Sequence, residues 1–237
     1  MMNLAEYRNS ATRLADFLPW AALVAPGVVL NKDGSFQRTA RFRGPDLDSA
    51  VPAELVGVAG RLNNVLRRLG SGWALFVEAQ RGQASTYPGS GLPDAASALV
   101  DAERKAAFEE EGAHYESTYY LTFLYLPPAW ESGGAARFLY EGRNRAAGAD
   151  AREILAGFTD RTERVLQLLD GFMPECHWLD DGETLTYLHS CISTRRQRVR
   201  VPEVPMYLDG LLADQPLTGG LEPKLGDCHL RVLTIVG

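Results

Sequence analysis

The sequence has few cysteines and few lysines. Its three cysteines, Cys176, Cys191 and Cys228, are an odd number and match no disulfide framework. We therefore expect reduced thiols, as in a cytosolic protein. The formal net charge is -6, so the overall field does not favour nucleic acid. With 46% hydrophobic and 23% charged residues, the composition is that of a globular chain and excludes a disordered tail.

A long apolar run is also missing. The longest mostly apolar stretch, residues 17–30, is interrupted by Pro19 and Pro26 and is too short to cross a bilayer. Glu6 and Asp16 precede it, which a secretory leader normally avoids. We expect this segment to pack on the core, with attachment to a membrane face or a membrane partner as the alternative. Its candidate contact residues are Phe17, Leu18, Trp20 and Leu23.

No catalytic motif is present. The sequence contains no G-x-x-x-x-G-K-[ST] phosphate loop, no H-E-x-x-H, no G-x-S-x-G and no C-x-x-C. Asp180 and Asp181 precede a predicted helix, where carboxylates accept hydrogen bonds from backbone amides at the positive end of the helix dipole. Helix capping is therefore their expected role, and a metal or acid–base role is the alternative.

Three thiols and three imidazoles lie late in the chain. Zinc prefers four such ligands in a tetrahedron, but none of the spacings is that of a zinc knuckle. Adjacent Cys and His side chains on a strand point to opposite faces, so each pair offers one ligand at most. We expect core residues rather than a metal site, and a Cys/His metal protein remains a rival hypothesis. The residues concerned are Cys176, His177, His189, Cys191, Cys228 and His229.

One local charge cluster stands out. Arg195, Arg196, Arg198 and Arg200 fall within six residues, and the last three share one face if the chain is extended there. Such a stripe suits phosphates, an acidic partner or an anionic bilayer surface. A solvated edge strand protected by charge is the alternative. No aromatic residue is interleaved, which weakens a single-stranded nucleic-acid interpretation.

The order of predicted elements indicates an α+β fold. A strand over Val28–Leu30, the turn Asn31–Gly34 and a strand over Ser35–Phe42 form an opening β-hairpin, because Asp-Gly supplies the turn geometry. Phe36, Arg38, Ala40 and Phe42 are expected on one face of the second strand. The remaining elements predict a mixed, largely antiparallel sheet with helices packed on one face. They are a helix ending near residue 17, helices over 52–69, 94–111, 150–169 and 181–192, a buried strand over 73–79, strands over 116–126 and 176–179, and a closing strand over 229–236.

Several of these segments resemble the N-terminus of the TrbE/CagE/VirB family of conjugal-transfer ATPases, most closely its TrbE branch. The resemblance covers nearly the whole chain and consists of fold patterns rather than a catalytic fingerprint. It rests on residues 14–20, 28–39, 42–49, 62–66, 73–78, 120–128, 178–181 and 225–227.

The resemblance implies a bacterial type IV secretion ATPase of about three times this length. The nucleotide-binding motifs of such proteins, with their ATP and Mg, lie in a C-terminal RecA-like domain, which we expect to be absent from residues 1–237. This chain is then a single non-catalytic N-terminal domain without a cofactor. The resemblance further implies docking to TrbD-like inner-membrane subunits, self-association within a hexameric motor, and a cytoplasmic position peripheral to the inner membrane. No stable nucleic-acid complex is expected, and a nucleic-acid-binding module using residues 195–200 is the rival hypothesis.

Overall fold

The computed structural model describes residues 13–84, 87, 91–110, 114–128 and 145–234, with the backbone alone for 145–150. Six helices lie in these ranges. They are α1 (Leu14–Phe17), α2 (Pro52–Leu66), α3 (Ala95–Glu110), α4 (Arg145–Asp170), α5 (Asp181–Ile192) and α6 (Leu208–Leu212). The predicted helix ending near residue 17 is thus confirmed only for its last turn, because its start lies outside the described residues.

The strands form two antiparallel sheets. The main sheet has the order β1-β2-β3-β5-β4, and β6 pairs with the part of β3 that β2 leaves free. Its strands are β1 (Trp20–Ala25), β2 (Val28–Asn31), β3 (Phe36–Arg43), β4 (Trp73–Ala84), β5 (His114–Tyr125) and β6 (Glu175–Trp178). The small sheet contains β7 (Leu217–Thr218), β8 (Lys224–Leu225) and β9 (Cys228–His229). The α+β class and the opening hairpin are therefore confirmed.

Helices cover both faces of the main sheet, which corrects the prediction of one covered face. Phe36 and Ala40 of β3 belong to clusters that contain α4 residues, whereas Thr39 between them contacts Thr122 on the opposite face, beside α5. The physical reason is that side chains alternate along a strand, and both alternate sets of β3 are buried at their centre. We call these the α4 face and the α5 face.

The α4 face is packed with aromatic rings. Phe158 of α4, only 1% exposed, lies with its ring centroid 5.7 Å from Phe36 and 5.6 Å from Trp73. The Tyr125 ring completes the group, 4.8 Å from Trp73. Phe36, Ala40 and Phe42 point to this face, which confirms the predicted alternation in β3.

Arg38 also points to the α4 face and joins α4 to the sheet. Its guanidinium lies 4.0 Å from the ring centre of Trp178 and 3.3 Å from a carboxylate oxygen of Glu163. The Trp178 indole donates a hydrogen bond of 2.8 Å to that same oxygen. Burial lowers the pKa of Arg38, and the Glu163 carboxylate partly opposes this effect. A buried cation is tolerated here because its charge is paired.

Two predicted strands differ from the structure. Residues 73–79 belong to an edge strand rather than a buried one, because β4 pairs only with β5 among the described strands and leaves Phe76 and Val77 exposed. The predicted closing strand over 229–236 is limited to Cys228–His229; residues 230–234 form no strand, and 235–237 lie outside the described residues. Branched side chains alone do not make a strand where no neighbouring strand supplies the hydrogen bonds.

Among the described residues, no helix is both long and apolar enough to span a bilayer. The interpretation of residues 129–149 as the least ordered part concerns mostly positions outside the described ranges.

Candidate functional site

The arginine cluster lies in an irregular segment that follows α5. We call Arg195–Arg200 the basic segment. Residues 195–200 form no strand, so the alternative of a charged edge strand is wrong. All four of its arginines are exposed to solvent, whereas Val199 between them packs against the α5 core cluster.

Hydrogen bonds fix the backbone of the basic segment to the fold. Gln215 accepts hydrogen bonds with its side-chain oxygen from the Ser193 hydroxyl at 3.0 Å and from the Thr194 amide at 2.9 Å. Further along, the Val199 amide donates to the Thr186 hydroxyl of α5 at 3.0 Å. The segment is therefore irregular in conformation but held at both ends.

The arginines differ in their own contacts. Arg195 lies 3.6 Å from a carboxylate oxygen of Asp214, which also lies 3.2 Å from Nε2 of the buried His189. Arg196 donates a hydrogen bond of 3.2 Å to the side-chain oxygen of Gln80. Arg198 and Arg200 form no ion pair or side-chain hydrogen bond within the described part of the chain. Two of the four charges are thus fully available to an external anion.

Beneath the basic segment, a polar network joins α5 to β4. Glu78 accepts hydrogen bonds from the Tyr187 hydroxyl at 2.9 Å and from the Gln80 amide at 2.9 Å. Gln80 in turn exchanges hydrogen bonds with the Ser190 hydroxyl. Sequence analysis missed this network, because its members come from positions about a hundred residues apart and no local spacing connects them.

The network is not arranged for nucleophilic catalysis. Burial of the Cys191 sulfur, together with the nearby Glu78 carboxylate, raises the pKa of the thiol to about 12. Burial and its negative neighbours likewise raise the pKa of Tyr187. Because a thiolate rather than a thiol is the nucleophile, Cys191 is protonated and inert at neutral pH. The network's effect is to orient α5 on the sheet.

The entry segment is mostly part of the core. Leu18 is 5% exposed and Trp20 is 8% exposed, and both belong to the cluster on the α5 face. Leu23 packs partly against the same cluster, whereas Phe17 is 60% exposed. Of the four candidate contact residues in this segment, Phe17 is therefore the one that presents most of its surface to a partner.

The capping role predicted for the paired aspartates is confirmed. Asp180 accepts a hydrogen bond of 2.8 Å from the Glu183 amide, and Glu183 returns one to the Asp180 amide. Asp181 accepts a hydrogen bond of 2.6 Å from the amide of Gly27, at the turn between β1 and β2. Gly27 has φ +65°, and a side chain there would meet the Leu179 carbonyl. The helix start is thereby fixed to the first hairpin.

The late cysteines and histidines do not converge. Cys176 is buried in the α4-face cluster, where desolvation raises the pKa of its thiol to about 11, and His189 is buried near Asp214. Cys228 is exposed on the small sheet. Within the described ranges, no three metal-ligating side chains are grouped closely enough to hold an ion.

Comparison with known proteins identifies the class to which this fold belongs. The profile of the N-terminal domain of the type IV secretion system ATPase VirB4/TrbE matches residues 27–133, which include β2 to β5. The profile thus covers the centre of the main sheet.

Two curated relatives extend the similarity. The chain is 33% identical over 253 aligned residues to a conjugal transfer protein TrbE of Rhizobium radiobacter, covering all of this chain and 31% of that protein. It is 38% identical over 146 residues to a probable conjugal transfer protein TrbE of Sinorhizobium fredii (strain NBRC 101917 / NGR234), covering 60% of this chain and 98% of that protein. The chain belongs to the VirB4/TrbE family of type IV secretion ATPases and corresponds to its N-terminal domain. It spans about a third of the length of the first relative.

Proposed function

We propose that this chain is a non-catalytic docking and assembly domain of a conjugal-transfer motor. In this proposal it links the motor to inner-membrane subunits of the TrbD kind and to neighbouring protomers, on the cytoplasmic side of the inner membrane. The observation that carries the proposal is the basic segment, which exposes four arginines on a backbone anchored at both ends. An anchored backbone loses little conformational entropy when a partner binds.

The absence of catalytic groups supports the same proposal. The sequence carries no phosphate-binding loop, and the thiol nearest to the polar network is kept protonated by its surroundings. ATP and Mg are therefore proposed to act in another part of a TrbE motor, and the purified chain is expected to turn over no nucleotide. Phe17 is proposed as a second contact point because it is the exposed apolar residue of the entry segment.

A charge-reversal experiment tests the docking surface. The triple variant Arg196→Glu, Arg198→Glu and Arg200→Glu should reduce capture of the chain by membrane-complex subunits at least tenfold, because an acidic partner would then face like charges. Circular dichroism and thermal unfolding should be nearly unchanged, since these side chains are exposed.

The control carries the same charge change elsewhere. Arg61→Glu, Arg67→Glu and Arg68→Glu alter three exposed arginines in and just after α2. Capture should remain near that of the unmodified chain. Equal capture of both triple variants would show that the basic segment is not the docking surface. A gel shift with labelled single-stranded DNA that falls steeply with salt would instead support the nucleic-acid alternative.

A further inference from the structure

The main sheet ends in a long strand with one open side. β4 pairs with β5 through twelve consecutive residue pairs, Trp73↔Tyr125 to Ala84↔His114, without a register shift. No described strand pairs with the other side of β4. An edge of this kind presents unpaired backbone N–H and C=O groups, which template pairing with another strand.

The usual protections of an edge strand are nearly absent from β4. Its sequence, WALFVEAQRGQA, contains no proline and no lysine, and no bulge interrupts its pairing with β5. Phe76 is 55% exposed and Val77 is 69% exposed, so apolar groups are accessible on both faces of the edge. Such an edge is stabilised when another strand covers it.

The two charged residues of β4 have opposite signs and no ionic partner. Glu78 accepts hydrogen bonds from neutral groups, and Arg81 lies 5.3 Å from the ring centre of Tyr115, but neither forms an ion pair within the described residues. Three positions separate them along the strand. In an antiparallel pair of two identical strands, such charges can face each other twice.

We propose that β4 of one copy pairs antiparallel with β4 of a second copy, about the midpoint between Ala79 and Gln80. In this register Arg81 of each copy lies opposite Glu78 of the other, and Val77 lies opposite Gly82. The two strands then form a two-fold interface in which the same residues of both copies take part. Cross-strand pairs of opposite charge stabilise such a ladder.

Charge complementarity selects a second copy as the occupant rather than an unrelated peptide. Both members of the Glu78–Arg81 pair are contributed by the chain itself, so a second copy satisfies them without any further partner. This interface rests on the proposed function and deepens its assembly role, and it uses a different edge from the basic segment. Position 82 tolerates a side chain, because a Cβ placed on Gly82 meets no atom within 4 Å and its backbone needs no positive φ.

Cross-linking with two single-cysteine changes tests both the pairing and its register. Val77→Cys and Gly82→Cys are made separately in a chain that also carries Cys191→Ser and Cys228→Ser, which removes the exposed thiols. The two proteins are tested alone and as an equal mixture, with oxidised glutathione. Directly opposite positions in an antiparallel pair lie within disulfide reach, whereas identical positions in this register are about 17 Å apart.

The expected result is a covalent dimer in the mixture, at least tenfold more abundant than in either protein alone. Reduction should return it to monomer. Equal cross-linking by one variant alone would overturn the register, and a chain that stays monomeric by sedimentation velocity up to sub-millimolar concentration would overturn the pairing.

A charge variant separates this proposal from the docking proposal. Arg81→Glu should weaken self-association about tenfold because it places two like-charge pairs across the interface, whereas Arg61→Glu on α2 should leave it unchanged. Capture by membrane-complex subunits should be the same for both variants. Unaltered self-association of Arg81→Glu would contradict the β4 interface alone, while the docking proposal depends on the basic-segment triple variant.

Discussion

The two faces of the main sheet are held by different kinds of interaction. On the α4 face, apolar and aromatic side chains from α2, α4 and four strands form two continuous clusters. On the α5 face, an apolar cluster around Leu185 and Leu188 adjoins a hydrogen-bonded network that runs from Thr39 through Thr122 and Tyr187 to Glu78. Apolar burial is strong but non-directional, whereas hydrogen bonds require one geometry. The comparison teaches that α4 supplies stability and α5 supplies orientation to the segment that follows it.

The largest expected effect is on the α4 face. Phe158→Ala should lower the free energy of unfolding by about 3–5 kcal/mol, because it removes a buried ring and leaves a cavity among Phe36, Trp73 and Tyr125. Urea unfolding followed by circular dichroism measures the change.

The exposed ring of Phe76 provides the control. Phe76→Ala should change the free energy of unfolding by less than about 1 kcal/mol, because this side chain is largely solvated. Similar losses for both variants would mean that Phe158 is not a central core residue.

An intermediate effect is expected on the α5 face. Tyr187→Phe removes the hydroxyl that donates to Glu78 and should lower the free energy of unfolding by about 1–3 kcal/mol, since a carboxylate loses a donor. Tyr115→Phe, at an exposed position, should cost less than about 0.5 kcal/mol. If α5 orients the basic segment, Tyr187→Phe should also increase amide hydrogen exchange around Val199; unchanged exchange there would argue against that coupling.

The smallest effect concerns the start of α5. Asp180→Ala removes the cap that accepts the Glu183 amide and should lower the free energy of unfolding by about 1 kcal/mol. Asp160→Ala, at an exposed position inside α4, removes the same charge without removing a cap and should be nearly neutral. A thermal-unfolding comparison checks the difference, and equal melting temperatures would show that the cap contributes little.

Local signals in the sequence predicted much of the fold. The bounds of α5 follow from Asp180 and the spacing of Leu185 and Leu188, and the hairpin turn follows from Asp33-Gly34. Each of these is set by residues a few positions apart. The edge position of β4 was missed because a run such as Trp73–Ala79 is equally apolar whether one or two strands flank it.

The candidate site was predicted only incompletely. The four arginines were recognised from their spacing, but the irregular conformation of the basic segment was not. Gln215 and Thr186 fix that conformation, and neither is near enough in sequence to indicate a contact. The same holds for Leu18 and Trp20, whose apolar character suits a partner surface and a core equally well.

The sequence by itself determined the element types, the α+β class, the cap at Asp180 and the similarity that places the chain in the VirB4/TrbE family, because each depends on side-chain type and short spacing. The tertiary structure alone decided that both faces of the sheet are covered, that β4 is an edge and that Glu78 meets Tyr187. Those outcomes depend on contacts between distant residues, and the free energy of such contacts is fixed only when the whole chain has packed.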